Sequence, residues 1–242
     1  MGSGGEDDFG RLYDLVAEME DIRDLLGGIT AIAAAAVTRS VGSQVECAVT
    51  LHRRKRPATI AGSDDEAMLL DGQEQELGDG PCTEALQTGE PEVLEGSSET
   101  RWPAFRRELA ATSFNSVLGV PLDLGTDASA ALNFFSTDTG VFTEEVAKDV
   151  QQFTQVAAQA LRLGLRIAGA ELKAEDLAAA MNYRTAIDMA RGIIMAQNRC
   201  SGDEAFTILR DASSARNEKL HDVARAVVSG LAGSDAVTYF EP

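Results

Sequence analysis

Residues Arg184 to Val228 read RTAIDMARGIIMAQNRCSGDEAFTILRDASSARNEKLHDVARAVV, with apolar positions at three-and-four spacing interrupted twice. A period near 3.6 broken at Asn198–Arg199–Cys200 and again at Ala215–Arg216–Asn217 allows three short amphipathic helices. The first places Ile187, Ala190, Ile194 and Met195 on one face. Ser201, three residues before Glu204, is a hydroxyl N-cap with a carboxylate placed to return the bond. The second helix is expected to turn Ala205, Phe206 and Leu209 inward. Asn217 is expected to cap the third, whose buried face is Leu220, Val223, Ala224 and Val227. Small residues at the contacts make a compact three-helix bundle.

The remainder of the chain is acidic. Of the 242 residues, 44% are hydrophobic and the net charge is −18. Residues 1–169 hold 13 Lys/Arg against 28 Asp/Glu, whereas residues 170–230 hold 8 against 9. An acidic body disfavours phosphate, so a nucleic acid can dock only on the near-neutral C-terminal module. Cys47, Cys82 and Cys200 are too scattered for a disulfide framework or a zinc site. No basic segment followed by an apolar run opens the chain, and the run Ala31–Val37 is too short to span a bilayer. The expectation is a soluble cytoplasmic protein with no membrane partner. Gly-rich, acidic residues 1–10 read as a flexible start.

Residues 12–37 read as one helix, with Leu12, Leu15, Val16, Met19, Ile22, Leu26 and Ile29 as its apolar stripe. From Gln44 the period becomes two. Val45, Cys47, Val49 and Leu51 alternate with Glu46, Ala48 and Thr50, a strand with one buried face. His52 to Pro57 is a charged hairpin turn and Ala58–Ala61 the returning strand. A helix from Glu66 to Leu77 precedes the turn Gly78–Asp79–Gly80–Pro81, which opens another helix. A short strand at Pro91–Leu94 and a helix from Arg101 to Ala111 come next. Ser116–Leu122 and Ser129–Ser136 are strands, and Pro121 suits an edge or a strand end. Thr143 caps a final long helix.

The ordered motifs A-R-G-I-I-M, S-x-D-E-A-F-x-x-L-R and S-x-x-x-N-x-K-L-x-D-V-A over roughly residues 171–230 resemble an ANTAR domain. That resemblance implies a three-helix, RNA-binding antiterminator that holds stem-loops in leader transcripts as a dimer. GDGPCTEAL, VLGVPL and ALNFFS, with this order of strands and helices over about residues 20–165, resemble a GAF domain. It implies an antiparallel sheet with helices on one face and a cavity for a small-molecule ligand on the other. No residue set selects a ligand, so the cofactor is unknown. Cys82 could be a chromophore or redox site, but a small buried residue is the plainer reading. His52 as a haem ligand is weaker still.

The expected fold class is therefore α+β: a GAF-like sheet domain joined by a long helix to a three-helix bundle. Its parts are a start (1–10), a sensor (11–165), an RNA-binding domain (166–232) and a tail (233–242). Between Phe142 and Gln197 no proline interrupts the helix, and Gly164 and Gly169 are soft points. Val146, Val150, Phe153, Ala157 and Ala160, then Leu161, Leu165, Ala168 and Leu172, have coiled-coil-like spacing, which suggests a homodimer seam. Nothing resembles a nucleophile–base–acid set, so no enzyme is expected. RNA would meet the polar face of the bundle: Arg184, Arg191, Arg210, Ser213, Arg216, Asn217 and Lys219. The competing readings are a DNA-binding regulator and a redox enzyme or sensor using Cys47 and Cys82.

Overall fold

A five-stranded antiparallel sheet organises the first of the two units into which the chain divides, Met1–Ala168 and Gly169–Pro242. The computed structural model describes residues 4–54, 58–96 and 100–231. Residues 55–57 of the basic turn and the tail from 233 lie outside the described residues.

The chain opens with α1 (Gly4–Glu18) and α2 (Ile22–Val41), where one helix was expected. Gly4–Gly10, read as part of a flexible start, are the first turns of α1. The stripe is continuous through the break because Asp21 interrupts only the backbone. Extended at φ −147°, it accepts from the amides of Arg23 (2.6 Å) and Asp24 (3.0 Å) and so starts a new helix. By length and composition α2 could cross a membrane, which the run Ala31–Val37 alone did not show. Its Leu25, Leu26, Ile29, Ile32 and Ala33 are instead buried in the core.

After α2 come β1 (Val45–Arg53), β2 (Thr59–Gly62), α3 (Asp65–Leu77), α4 (Pro81–Thr88), β3 (Glu92–Glu95), α5 (Phe105–Leu109), β4 (Ser116–Leu122) and β5 (Ala128–Ser136). The sheet order is β2-β1-β5-β4-β3. Pro121 pairs with Ala131 of β5 but lies beyond the β3 pairing, which ends at Gly119, so its missing N–H costs no ladder bond. Helix α5 starts later than expected because Trp102 sits at φ +53°.

Both faces of the sheet are covered. Val45, Cys47, Val49, Leu51, Leu118, Leu132 and Phe134 pack with α2 and the start of α6 (Glu144–Asn198). Ala48, Val117 and Phe135 pack with Leu70 of α3, Phe105 of α5 and Trp102. The alternation in β1 therefore marks two interiors, not one interior and one wet face. Val150, Phe153, Ala157, Ala160 and Leu161, read as a seam between copies, are buried in this unit's own core. Gly164 is a packing position and not a soft point: a Cβ there would lie 2.4 Å from Leu25 Cδ2.

The second unit holds the later part of α6, α7 (Gly202–Arg216) and α8 (Leu220–Leu231). Ala190, Ile194, Ala205, Leu209, Val223 and Ala224 form its core, with Leu220 and Val227 packed against them. The α+β fold class and the long helix followed by short ones are as expected. Met195 and Phe206 are not core; they are 39% and 37% exposed. Ala205 and Leu209 fill the interior, and the small Ala205 lets α7 approach closely. Asn217 does not start α8; at φ +52° it ends α7, its N–H bonded to Ser213 and Ser214 carbonyls.

At Gly119 a Cβ would sit 2.8 Å from the Cys82 nitrogen and the Pro81 carbonyl carbon, both backbone atoms. Gly119→Ala is expected to push α4 off β4 and to destabilise the chain by about 1–3 kcal/mol in urea unfolding.

Candidate functional site

Two places gather chemistry-bearing side chains. The first lies between β1, β5, α3 and α4. Thr50, Asp71, Glu74 and Asn133 are all 0–1% exposed. Helix α3 sets Asp71 and Glu74 at i,i+3, and both point towards the sheet because that face carries Ala67 and Leu70. The Thr50 hydroxyl donates to Asp71 Oδ2. Asn133 Nδ2 donates to Asp71 Oδ1 (2.6 Å) and to Glu74 Oε2 (3.1 Å). Glu74 Oε1 accepts from the amides of Cys82 (2.6 Å) and Thr83 (3.1 Å).

Those two amides belong to the first turn of α4, whose N-cap is Gly80 and has no side chain of its own. Glu74 therefore caps α4 from the neighbouring helix. Gly80 leaves room for it, since a Cβ there would lie 2.4 Å from Glu74 Oε1. Burial raises the Asp71 carboxyl to about 6, against hydrogen bonds from Thr50 and Asn133. Burial, with Asp71 nearby, raises Glu74 to about 8 although the α4 amides pull it down.

The thiols offer no redox pair. Cys47 belongs to the β1 face that meets α2, whereas Cys82 packs on Gly119 at the opposite face of the sheet. Burial pushes both thiols well above the usual range, so neither is a ready thiolate. His52 Nε2 lies 3.0 Å from Gln75 Oε1 and so carries a proton there, and Gln75 Nε2 donates to Cys82 Sγ at 3.3 Å. Elsewhere in this unit, the β4–β5 hairpin, the end of α4 and α6 border a groove of about 620 Å³, lined by Asp123, Gln151, Gln155, Gln159 and Arg162 among others.

The second place is the polar surface of the bundle, where the expected residues fall into two groups. Arg184 and Arg191 flank Asp188 on α6, at 3.8 and 3.7 Å. Arg191 also donates to the Gly202 carbonyl (3.3 Å) and lies 5.8 Å over the Phe206 ring, so it ties α6 to α7. The other group is the α7–α8 corner. Ser213 donates to the Glu218 carbonyl at 2.6 Å, which closes the corner and uses up its proton. Arg216, Asn217 and Lys219 are exposed around it. No ion pair engages Arg216 or Lys219 among the described residues. Arg210 is exposed and leans on Asp211 at 3.6 Å.

Phe206 was expected in the core and lies half open beside Arg191, and Tyr183 was not among the expected site residues. Tyr183 stacks on His221 with ring centroids 3.9 Å apart, and Arg225 lies 5.2 Å over it. Tyr183 falls on the bundle-facing stripe at i−4 from Ile187, a signal that was available.

Comparisons with known proteins bear on both places. Residues 22–162 match the GAF domain model and residues 175–228 match the ANTAR domain model. No curated protein matches the chain. Among solved structures, the N-acylhomoserine lactone dependent LuxR family factor CepR2 from Burkholderia cenocepacia is 16% identical. That match covers 69% of this chain and 99% of the other, with a TM-score of 0.50. The phycoerythrobilin-bound GAF domain of a cyanobacterial phytochrome is 13% identical (67% and 97% covered, TM-score 0.48). Free methionine-R-sulfoxide reductase from Neisseria meningitidis is also 13% identical (69% and 95% covered, TM-score 0.46). At 16% identity the likeness to CepR2 is one of fold alone.

Two substitutions separate packing from surface. Arg191→Ala is expected to cost about 1–2 kcal/mol of stability in urea, and Arg216→Ala to stay within about 0.5 kcal/mol. Both buried carboxyls are raised, so the folded chain holds protons that the unfolded chain has released. The contribution of this pair to stability is full below about pH 4 and is lost as pH rises towards about 8. Glu74→Gln keeps an acceptor for α4 and cannot ionise. Thermal melts are expected to show it more stable than the parent near pH 8, with the gap closing towards pH 4.5.

Proposed function

The chain belongs to the GAF domain family and carries an ANTAR domain after it, and from that premise we propose that it is an RNA-binding transcription antitermination regulator. The bundle holds stem-loops in leader transcripts, and the GAF domain governs it in response to a small ligand. The observation that carries this reading is the ANTAR match over residues 175–228 on a bundle that presents exposed cations. We assign the sensor to residues 11–165 and the RNA-binding domain to 166–232, in a cytoplasmic protein.

Contacts are assigned to Arg184, Arg191, Arg210, Ser213, Arg216, Asn217 and Lys219. Arg216 and Lys219 neutralise phosphate, Asn217 reads a base edge, and the half-open Phe206 ring beside Arg191 accepts an unpaired loop base. Asp222 stands 3.3 Å from His221 and 4.0 Å from Arg225. It thus engages the polar groups that α8 would offer to a DNA groove, which favours RNA over duplex DNA. Cys47 and Cys82 on opposite sheet faces favour a regulator over a thiol enzyme.

A homodimer completes the proposal. Residues 171–178 of α6 are exposed all round, and Leu172, Leu177 and Met181 are 39%, 63% and 63% exposed. A single helix of that length is marginal in water without a partner, and a second copy of the same stretch supplies one. The 620 Å³ groove beside α6 is large enough for a metabolite.

Mobility shifts with a short-loop RNA hairpin test the site. Arg216→Glu with Lys219→Glu is expected to lower affinity at least about tenfold and to flatten the salt dependence by about two counterions. Phe206→Ala is expected to lower affinity roughly tenfold at unchanged salt slope. Unchanged affinity in the double variant would move the site elsewhere. Duplex DNA displacing the hairpin would replace the RNA reading.

A further inference from the structure

Asp71 and Glu74 stand one turn apart on α3, buried to 0% exposure, and among the described residues no lysine or arginine pairs with either. The titratable groups facing them are His52 from β1 and Cys82 from α4, with Cys47 acting through the sheet. Strand β5 contributes neutral Asn133, and β4 contributes Gly119 against α4. The carboxylate oxygens already accept from Thr50, from both hydrogens of the Asn133 amide and from two α4 amides. Asn133 Oδ1, equally buried, accepts from nothing. With both acids ionised the cluster carries two negative charges, and His52 is the group among those facing them that can offset a charge. One proton on the pair removes one of the two buried charges.

We propose that the Asp71–Glu74 pair is a proton-binding site of the sensor domain, and that the proton it exchanges sets how firmly the first turn of α4 is held against α3 and β4. Glu74 is both a member of the pair and the cap of α4, so repulsion within the pair acts directly on that helix start. Ionisation strengthens each bond from the α4 amides. It also places two like charges side by side away from water, and burial, the largest influence on Glu74, favours its neutral form together with the neighbouring Asp71. A proton needs no cavity, which suits a place this well filled. The physiological use of the site rests on the sensor reading above; its existence does not.

The test is a carboxyl-carbon NMR titration of the full chain without RNA, with Asp71 and Glu74 assigned by loss of their signals in Asp71→Asn and Glu74→Gln. At least one of the pair is expected to titrate above about pH 6, together with a fall in the exchange protection of the Cys82 and Thr83 amides across the same range that Glu74→Gln abolishes. Both carboxyls titrating below about pH 6 would overturn the site. Amide protection that does not follow the titration, or that follows it equally in Glu74→Gln, would overturn the link to α4. Failure of the chain to bind hairpin RNA would count against the function proposed above and leave this result as measured.

Discussion

Strand β5 is hydrogen-bonded along both edges and covered on both faces, and those contacts place the elements of the first unit. Phe134 faces the α2 side and Phe135 the α5 side, each buried completely, worth about 1.5–3 kcal/mol apiece relative to exposure. Asn133 interrupts this apolar run on the face that meets α3. A polar residue at the centre of a doubly covered strand is tolerated only if it is bonded, and its partners are two acids on α3. Glu74 in turn positions α4 through its amides. A chain of contacts from β5 through Asn133 and Glu74 thus ends at the GDGPC turn, where Gly80 and Gly119 leave space for it.

Much of this was legible in the sequence. Period two located β1, the turn at Gly125–Ala128 separated β4 from β5, and the Gly-Pro turn marked the start of α4. The acid cluster was not legible, because Thr50 alternates with apolar residues as a solvated face would and Asn133 is a single polar residue in an apolar run. What covers that face is decided by α3 folding over it, and a strand's own period carries no such information. Asp71 and Glu74 likewise look like the wet side of a short helix. The pause at Asp21 was hidden by an apolar stripe that runs unbroken across it.

In the bundle the motifs located the helices, and the side-chain directions were harder. Ala205 and Phe206 are neighbours, and hydrophobicity alone favours burying the larger. Ala205 goes in and Phe206 goes out beside Arg191. Met195 is likewise open. Asn217 served a helix end and not a helix start because its backbone tolerates the left-handed region. The outcome is a module with little net charge whose surface joins cations to an exposed ring. That combination suits a folded RNA with unpaired loop bases better than a uniform phosphate track.

Photochemical crosslinking of the full chain to RNA in its own cells, with sequencing of the bound RNA and mapping of the crosslinked peptides, tests the central claim most directly. The expected result is enrichment of short-loop hairpins from leader regions, crosslinked to peptides between Arg184 and Arg225. Recovery of no structured RNA, or crosslinks confined to the first 168 residues, would contradict it.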